Sequence, residues 1–323
     1  MNATSHPLPW ETLDIPVMAA PMFIVSTPEL VIAQCRAGIV GTMPALNIRD
    51  GAGLGDEIAR IREAIPDRRR FGINVSLRRD NPRRGADMAA CIDARVPIVI
   101  TSMGVDPDFA GAVRGYGGVI LHDVTTIRHA EKALESGVTG LIAVANGAGG
   151  HGGRLNPIAF VRELRGLHHG PLVLGGGIAD GAGVLAARAM GADLAYIGTR
   201  FIASTEANAP DAYKQALLDA AAADIVYTPH FSGVPANYLA ASIRAAGLSV
   251  DALSVSGKGP GMDAPDAPRA WRDIWGAGQG VGLAQSVMPV AEIVAEIRRD
   301  YAAALRSLSG ASDARATMEG AKA

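Results

Sequence analysis

One imidazole set among glycines is the first side chain in this sequence with chemistry within reach. The run is Ala145-Asn-Gly-Ala-Gly-Gly-His-Gly-Gly153, in which five of nine residues are Gly and the one titratable group is His151. A histidine ordinarily titrates near pH ~6.5, so at neutral pH it can accept a proton from substrate. The flanking glycines let the backbone take positive φ and come close to a flat ligand. The plain alternative is a flexible surface loop with an incidental histidine. Just before the run lies Gly140-Leu-Ile-Ala-Val144, an apolar segment of strand length. A loop leaving the C-terminal end of a strand is where an α/β barrel carries its catalytic groups.

Two further glycine clusters stand at strand ends. Gly175-Gly-Gly-Ile178 follows the apolar run Pro171–Leu174 and leads into a helix at Asp180, and Gly198-Thr199 follows Leu194-Ala-Tyr-Ile197. Loops after strands seven and eight of a barrel commonly hold phosphate, because backbone N–H groups converge there. The competing reading of the first cluster is a tight turn with Asp180 as a helix cap, and both can hold together. A phosphate site beside a flat, glycine-lined cleft points to a phosphorylated aromatic cofactor, and FMN fits best. No Gly-x-Gly-x-x-Gly follows the first strand, as a dinucleotide fold would need. No lysine stands at a strand end to form a Schiff base, and no His/Cys/carboxylate spacing points to a metal.

The rest of the chain reads as the scaffold for these loops. Short apolar runs alternate with Ala-rich helical stretches: 15–20, 39–43, 71–75, 97–101, 118–122, 141–145, 171–174 and 194–197 read as strands. They are continuous apolar runs, as expected of strands covered on both faces. Helices between them carry end signals, with Thr27 and Asp106 as N-caps, Pro107 at a first position, and Gly38, Gly137 and Gly191 as stops. Eight such units predict a TIM (β/α)8 barrel rather than an open doubly wound sheet. The expected division is a barrel over 1–223, an inserted lid lobe over 224–275, a segment packing back on the barrel over 276–310, and a frayed tail over 311–323. Residues 209–223 and 290–308 read as helices. The strand ends then gather Ala20, Pro21 and Met22, Asn74, His122, the His151 loop with Gly150, Gly175 to Gly177, and Gly198 with Thr199. His151 is the candidate base. His122, and His230 and Tyr238 of the lobe, are candidate substrate contacts.

Composition narrows the class. The 323 residues are 49% hydrophobic and 19% charged, with net charge −2, which leaves no basic footprint for nucleic acid. Cys35 and Cys91 have no ligand spacing and read as small core residues in a reducing compartment. No run reads as a membrane span, and the opening MNATSHPLPWETLDIP has no leader pattern, so a cytoplasmic location is expected. Oligomeric state is left open.

Together, Ala19-Ala-Pro-Met22, Ile73-Asn-Val75, Asn146-Gly-Ala-Gly-Gly-His-Gly-Gly153, Gly175-Gly-Gly-Ile178 and Ile197-Gly-Thr-Arg-Phe201 resemble the nitronate monooxygenase family, formerly called 2-nitropropane dioxygenases. The motifs occur in the family's order, each at its own strand end, over most of residues 14–290. Trp275-Gly-Ala-Gly-Gln-Gly280 is similar to the family's C-terminal motif, which returns to the flavin and adds Gln279 to the expected cofactor contacts. The resemblance implies an FMN-containing barrel with a lid, Asn74 toward the flavin's pyrimidine edge, and His151 as catalytic base. Some members carry Lys directly after the His of the fifth strand, where this chain has Asp123. The segment Tyr227–Tyr238 resembles a subgroup whose substrates are poorly settled.

Three readings follow. The first is an FMN enzyme that oxidises alkyl nitronates, and nitroalkanes after His151 removes a proton, using oxygen and releasing a carbonyl compound and nitrite. The second is an NAD(P)H-dependent FMN reductase of quinones or enoyl thioesters. The third is a flavin-binding barrel without catalysis.

Overall fold

Helices and strands alternate from Val17 onward because each strand is apolar on both faces and each helix on one. The computed structural model describes residues 8–49 and 53–320, with side chains to Ser309. Residues 1–7 of the stretch read for a leader, and the last three of the expected tail, lie outside the described residues. The elements run β1 (Val17–Ala19), α1 (Pro28–Arg36), β2 (Gly41–Pro44), α2 (Leu54–Ala64), β3 (Phe71–Ser76), α3 (Arg84–Asp93), β4 (Ile98–Ser102), α4 (Pro107–Gly115), β5 (Val119–Val124), α5 (Ile127–Glu135), β6 (Gly140–Val144) and β7 (Gly150–His151). They continue α6 (Pro157–Leu167), β8 (Leu172–Gly175), α7 (Gly181–Met190), β9 (Leu194–Ile197), α8 (Thr199–Ile202), α9 (Asp211–Leu218), β10 (Ile225–Thr228), β11 (Ala236–Leu239), α10 (Ala240–Ala245) and α11 (Val290–Gly320).

Eight of the strands form a parallel sheet in the order β1-β9-β8-β6-β5-β4-β3-β2. A bridge between Met18 and Val40 joins its two ends, with the Ala19 N–H donating to the Val40 carbonyl at 2.8 Å. The fold is therefore a TIM barrel. Met18, Val40, Ile98, Ile100, Leu121, Ile142, Val173 and Leu194 fill its interior, joined by Trp10 from the segment before β1. Burying each such side chain is worth about 1.5–3 kcal/mol, so the interior is a packed core and not a channel.

The expected end signals take their places. Thr27, Asp106 and Asp180 each accept a backbone N–H at the start of α1, α4 and α7, and Gly191 closes α7 at φ 111°. Cys35 and Cys91 are buried free thiols. The helix read over 209–223 is shorter, Asp211–Leu218, because Pro210 precedes it and the chain then turns through Ala222–Asp224 toward β10. The closing helix is longer than 290–308 and runs to Gly320. Both carboxylate oxygens of Glu206 accept the Val290 N–H at 3.1 Å and cap it. It crosses α7 at Gly181, where any Cβ would strike the backbone of Ile297 and Tyr301. Among the described residues, no helix is long and apolar enough to cross a membrane.

A second, three-stranded sheet has the order β10-β11-β7. β10 and the central β11 belong to the segment after the barrel, and the other edge strand, β7, is the middle of the glycine run itself. Phe231, Ala236, Tyr238, Ile243 and Ile274 form a small core beneath it, with Trp271 packed against them.

Candidate active site

The glycine run is not all loop: Gly150 and His151 pair antiparallel with Asn237 and Ala236 of β11. Glycine at 150, with φ 74°, permits the turn into that pairing, and open backbone N–H and C=O groups were free to take it. The later segment grips the run at three more points. The Asn237 side chain donates to the Ala148 carbonyl at 2.6 Å and the Tyr227 hydroxyl to the Gly152 carbonyl at 3.0 Å. The indole of Trp271 stands edge-on to the His151 ring, with centroids 5.2 Å apart. Trp271 holds φ 73°, a left-handed conformation costing on the order of 1–3 kcal/mol in a bulky residue. Its N–H donates to the Ile274 carbonyl at 2.8 Å, which pins the turn.

His151 is thus enclosed. Its Nε2 lies 3.0 Å from the Ser232 hydroxyl. Burial, and secondarily the positive charge of Arg78, pulls its pKa down to about 4, well below the ordinary value expected for an open glycine loop. The reason is desolvation: no carboxylate offsets the loss of water around an imidazolium. At neutral pH the ring is uncharged.

The other glycine clusters meet beside this run. The Gln279 N–H donates to the Gly147 carbonyl at 2.9 Å and the Gly278 N–H to the Thr199 hydroxyl at 2.8 Å. The Trp275–Gly280 motif therefore threads between the loop after β6 and the start of α8. Gly176 and Gly177 hold φ 155° and 70°, and a Cβ on Gly176 would lie 2.8 Å from the Asn146 carbonyl. Asp180 takes the N–H of Gly183 and so caps α7, while Gly176 and Gly177 just before it line open space. A cavity of about 460 Å³ opens here, lined by Asn146, Arg154, Gly176, Gly177 and Gln279 among others. Across the barrel mouth, Ala20 and Met22 abut Gly198: a Cβ there would lie 3.3 Å from the Ala20 methyl and 3.6 Å from the Met22 sulfur. Pro21 lies between them, half-buried. Gly175 packs against the Tyr196 ring.

Strand alternation sorts the remaining residues. Leu121 belongs to the barrel interior, so Asp123 faces inward and His122 outward. His122 does not meet the expected substrate role: it is buried among the helices, its Nδ1 2.7 Å from the Thr101 hydroxyl, and burial lowers its pKa to about 4. His230 is likewise occupied. Its Nδ1 accepts the Ser254 N–H at 2.9 Å, and Gly259 packs so closely on the ring that a Cβ would overlap it. Tyr238 is 0% exposed and reaches the site through Ser232, 3.5 Å from its hydroxyl, and through the Trp271 ring, 5.1 Å from its own. All three lie in the layers that hold the site together.

Asn74 does face the mouth, its amide at 3.4 Å from the Ser102 hydroxyl. Opposite stand two residues the sequence reading left out of the site. The Asp123 Oδ1 and the Tyr196 hydroxyl are buried without a hydrogen-bond partner among the described residues. Burial pushes the Asp123 carboxyl up to about 7 and, with the Asp123 charge adding to it, drives the Tyr196 hydroxyl well above its usual range. Leaving such atoms unpaired costs about 1–3 kcal/mol each, and a ligand, an ion or an ordered water can supply the partner. The mouth thus suits a ligand with a flat polar ring, while the open Gly176–Gly177 loop suits a phosphate.

Comparisons with known proteins agree with this geometry. A family model described as nitronate monooxygenase matches residues 8–300. A nitronate monooxygenase of Paraburkholderia phytofirmans is 30% identical, with 93% of this chain and 96% of that protein covered. Among solved structures, nitroalkane oxidase from Streptomyces ansochromogenes is similar at TM-score 0.78 and 26% identity, covering 92% of this chain and 99% of that one. FabK from Thermotoga maritima shares the fold at TM-score 0.75 and 24% identity, covering 92% and 96%.

Proposed function

This chain belongs to the nitronate monooxygenase family, and from that premise we propose that it is an FMN-dependent oxidase of alkyl nitronates and their parent nitroalkanes. The observation that supports this most is a neutral, desolvated His151 in β7, on the run that follows β6, closed over by Trp271 and set beside the glycine loops. The site residues fit the cofactor. The Gly176–Gly177 loop, with Gly198 and Thr199, would hold its phosphate. Asn74, Asp123 and Tyr196 would meet the polar edge of its ring, and Ala20, Pro21, Met22, Gly150 and Gln279 would flank it. When bound, FMN supplies an electron acceptor that oxygen regenerates.

The chain's own contribution is binding and one proton transfer. With a nitroalkane, the α-carbon C–H bond breaks, a new N–H bond forms on His151, and the electron pair moves into the nitro group to give the nitronate. An imidazolium is costly in this setting, yet the nitronate formed beside it is an anion, so the pair is neutral overall. A preformed nitronate skips the proton transfer. Oxygen then completes the reaction to a carbonyl compound and nitrite.

Anaerobic mixing tests this reading. The yellow protein is expected to bleach with an alkyl nitronate and not with NADH or NADPH. Bleaching by a nicotinamide alone would favour a reductase. Flavin that neither reductant bleaches would leave a binding protein.

A further inference from the structure

We infer that Ser232 fixes the tautomer of His151 and leaves Nδ1 as the nitrogen that takes the substrate's proton. This deepens the reading of His151 as a base and rests on it. Ser232 lies between β10 and β11, and its hydroxyl donates to the Val234 carbonyl at 2.9 Å. A serine hydroxyl has one hydrogen and two lone pairs. With its hydrogen given to Val234, Oγ meets the His151 Nε2 at 3.0 Å as an acceptor. The Val234 N–H at 3.4 Å and the Tyr238 hydroxyl at 3.5 Å share the other lone pair as longer, weaker donors. Nε2 therefore carries the hydrogen of the neutral ring. Nδ1 keeps its lone pair and has no hydrogen bond to a described residue.

The surroundings keep this arrangement from reversing. His151 is held in register opposite Ala236, a short step along the chain from Ser232. Turning the ring over would keep its plane against Trp271 but would put a carbon where Nε2 meets Ser232, breaking that contact. When the substrate's C–H bond breaks, its proton bonds to Nδ1 and its electron pair stays with the nitronate. The resulting imidazolium still donates from Nε2 to Ser232. A hydrogen bond to a charged donor is stronger than one to a neutral donor, so Ser232 helps more after the transfer than before. Ser232 touches His151 and not the reacting carbon, which makes it a positioning residue.

The test is two-bond 15N–1H spectroscopy on the holoprotein labelled at histidine, at pH 7. The His151 signals are identified as those missing from His151→Gln. The expected pattern is a hydrogen on Nε2 and a pyridine-like Nδ1. A wild type with the hydrogen on Nδ1 overturns the proposal, whatever the enzyme acts on. In Ser232→Ala the two tautomers should mix, and a spectrum identical to wild type also overturns it. The same variant should lose roughly 3–10-fold in kcat on a neutral nitroalkane, the worth of one hydrogen bond, with KM and nitronate turnover nearly unchanged. Equal loss on both substrate forms would show a merely structural serine and overturn the proposal. The expected wild-type spectrum without turnover of either form would sink the functional reading and leave the tautomer assignment standing, so the two failures are distinguishable.

Discussion

The rings of His151 and Trp271 meet edge-on, with planes at 88° and centres 5.2 Å apart. One residue lies on the glycine run after a barrel strand, and the other sits in a strained turn of the segment that follows the barrel. Their contact keeps water from the imidazole, and with it the imidazole's affinity for protons.

Activity on a neutral nitroalkane should therefore persist into acid. A base works only when unprotonated, so kcat/KM falls as pH drops through the pKa of His151, about 4. Trp271→Ala readmits water and should move that acid limb toward ~6.5, the value of an exposed histidine. Profiles of the two proteins that superimpose would remove Trp271 from this role.

His151→Ala should cost roughly 10²–10⁴-fold in turnover of a neutral nitroalkane. A preformed nitronate has already lost its proton and should suffer less. FMN binding should survive, because the loops proposed to hold its phosphate lie after β8 and β9. Steady-state rates on both substrate forms decide the matter, and a uniform loss would assign His151 to anion stabilisation instead.

Gly177→Asp should abolish FMN binding while the barrel stays folded. A Cβ there has room, its nearest neighbour being the Gly280 nitrogen at 4.0 Å, so the fold has little reason to object beyond the φ of 70°. A carboxylate would face the phosphate directly. Fluorescence titration with FMN measures it, and unchanged affinity would move the phosphate elsewhere.

Asp123→Asn should change how stability depends on pH. The folded carboxyl titrates near 7, above its unfolded value of ~3.9, so its protonated form supports folding below that value and the support is lost as pH rises through 7. Flavin-free Asp123→Asn should match wild type near pH 4 and exceed it by roughly 3–10 °C in Tm at pH 8. His151 and His122 act in the opposite sense, losing stability as pH falls from ~6.5 to about 4, and cancel in the comparison. Melting curves whose gap does not vary with pH would show that Asp123 is ionised throughout.

The barrel was legible because it rests on local signals. Continuous apolar runs mark its strands, and Thr27, Asp106 and Asp180 cap helices through bonds within three residues. The strand-end glycines were legible for the same reason, although what they bind awaits measurement. The environment of His151 was not. Pairing of Gly150 with Asn237 joins residues distant in the chain, and no periodicity reports it. Trp271 carries no motif, and the resemblance of the Tyr227–Tyr238 segment says nothing of what Ser232 touches. Misplacement of His122 came from counting strand ends without counting faces: Leu121 fills the interior, so its neighbour points away. His230 and Tyr238 looked available because a loosely patterned segment hides its own small core, closed by Phe231 and Ile274.

The close crossing of α7 and α11 at Gly181 has a consequence for the order of events during synthesis. At about 5–20 residues per second, the ribosome releases β9 several seconds before α11. In that interval β1 can pair with β9, but the groove over Gly181, shaped to admit bare backbone, lies open on the barrel wall. Until α11 arrives, that uncovered apolar groove is a place where misdocking of another helix can begin. A larger residue at 181 would keep that berth closed to intruder and owner alike, so the feature that lets the finished molecule seal its seam is also what leaves the growing one exposed.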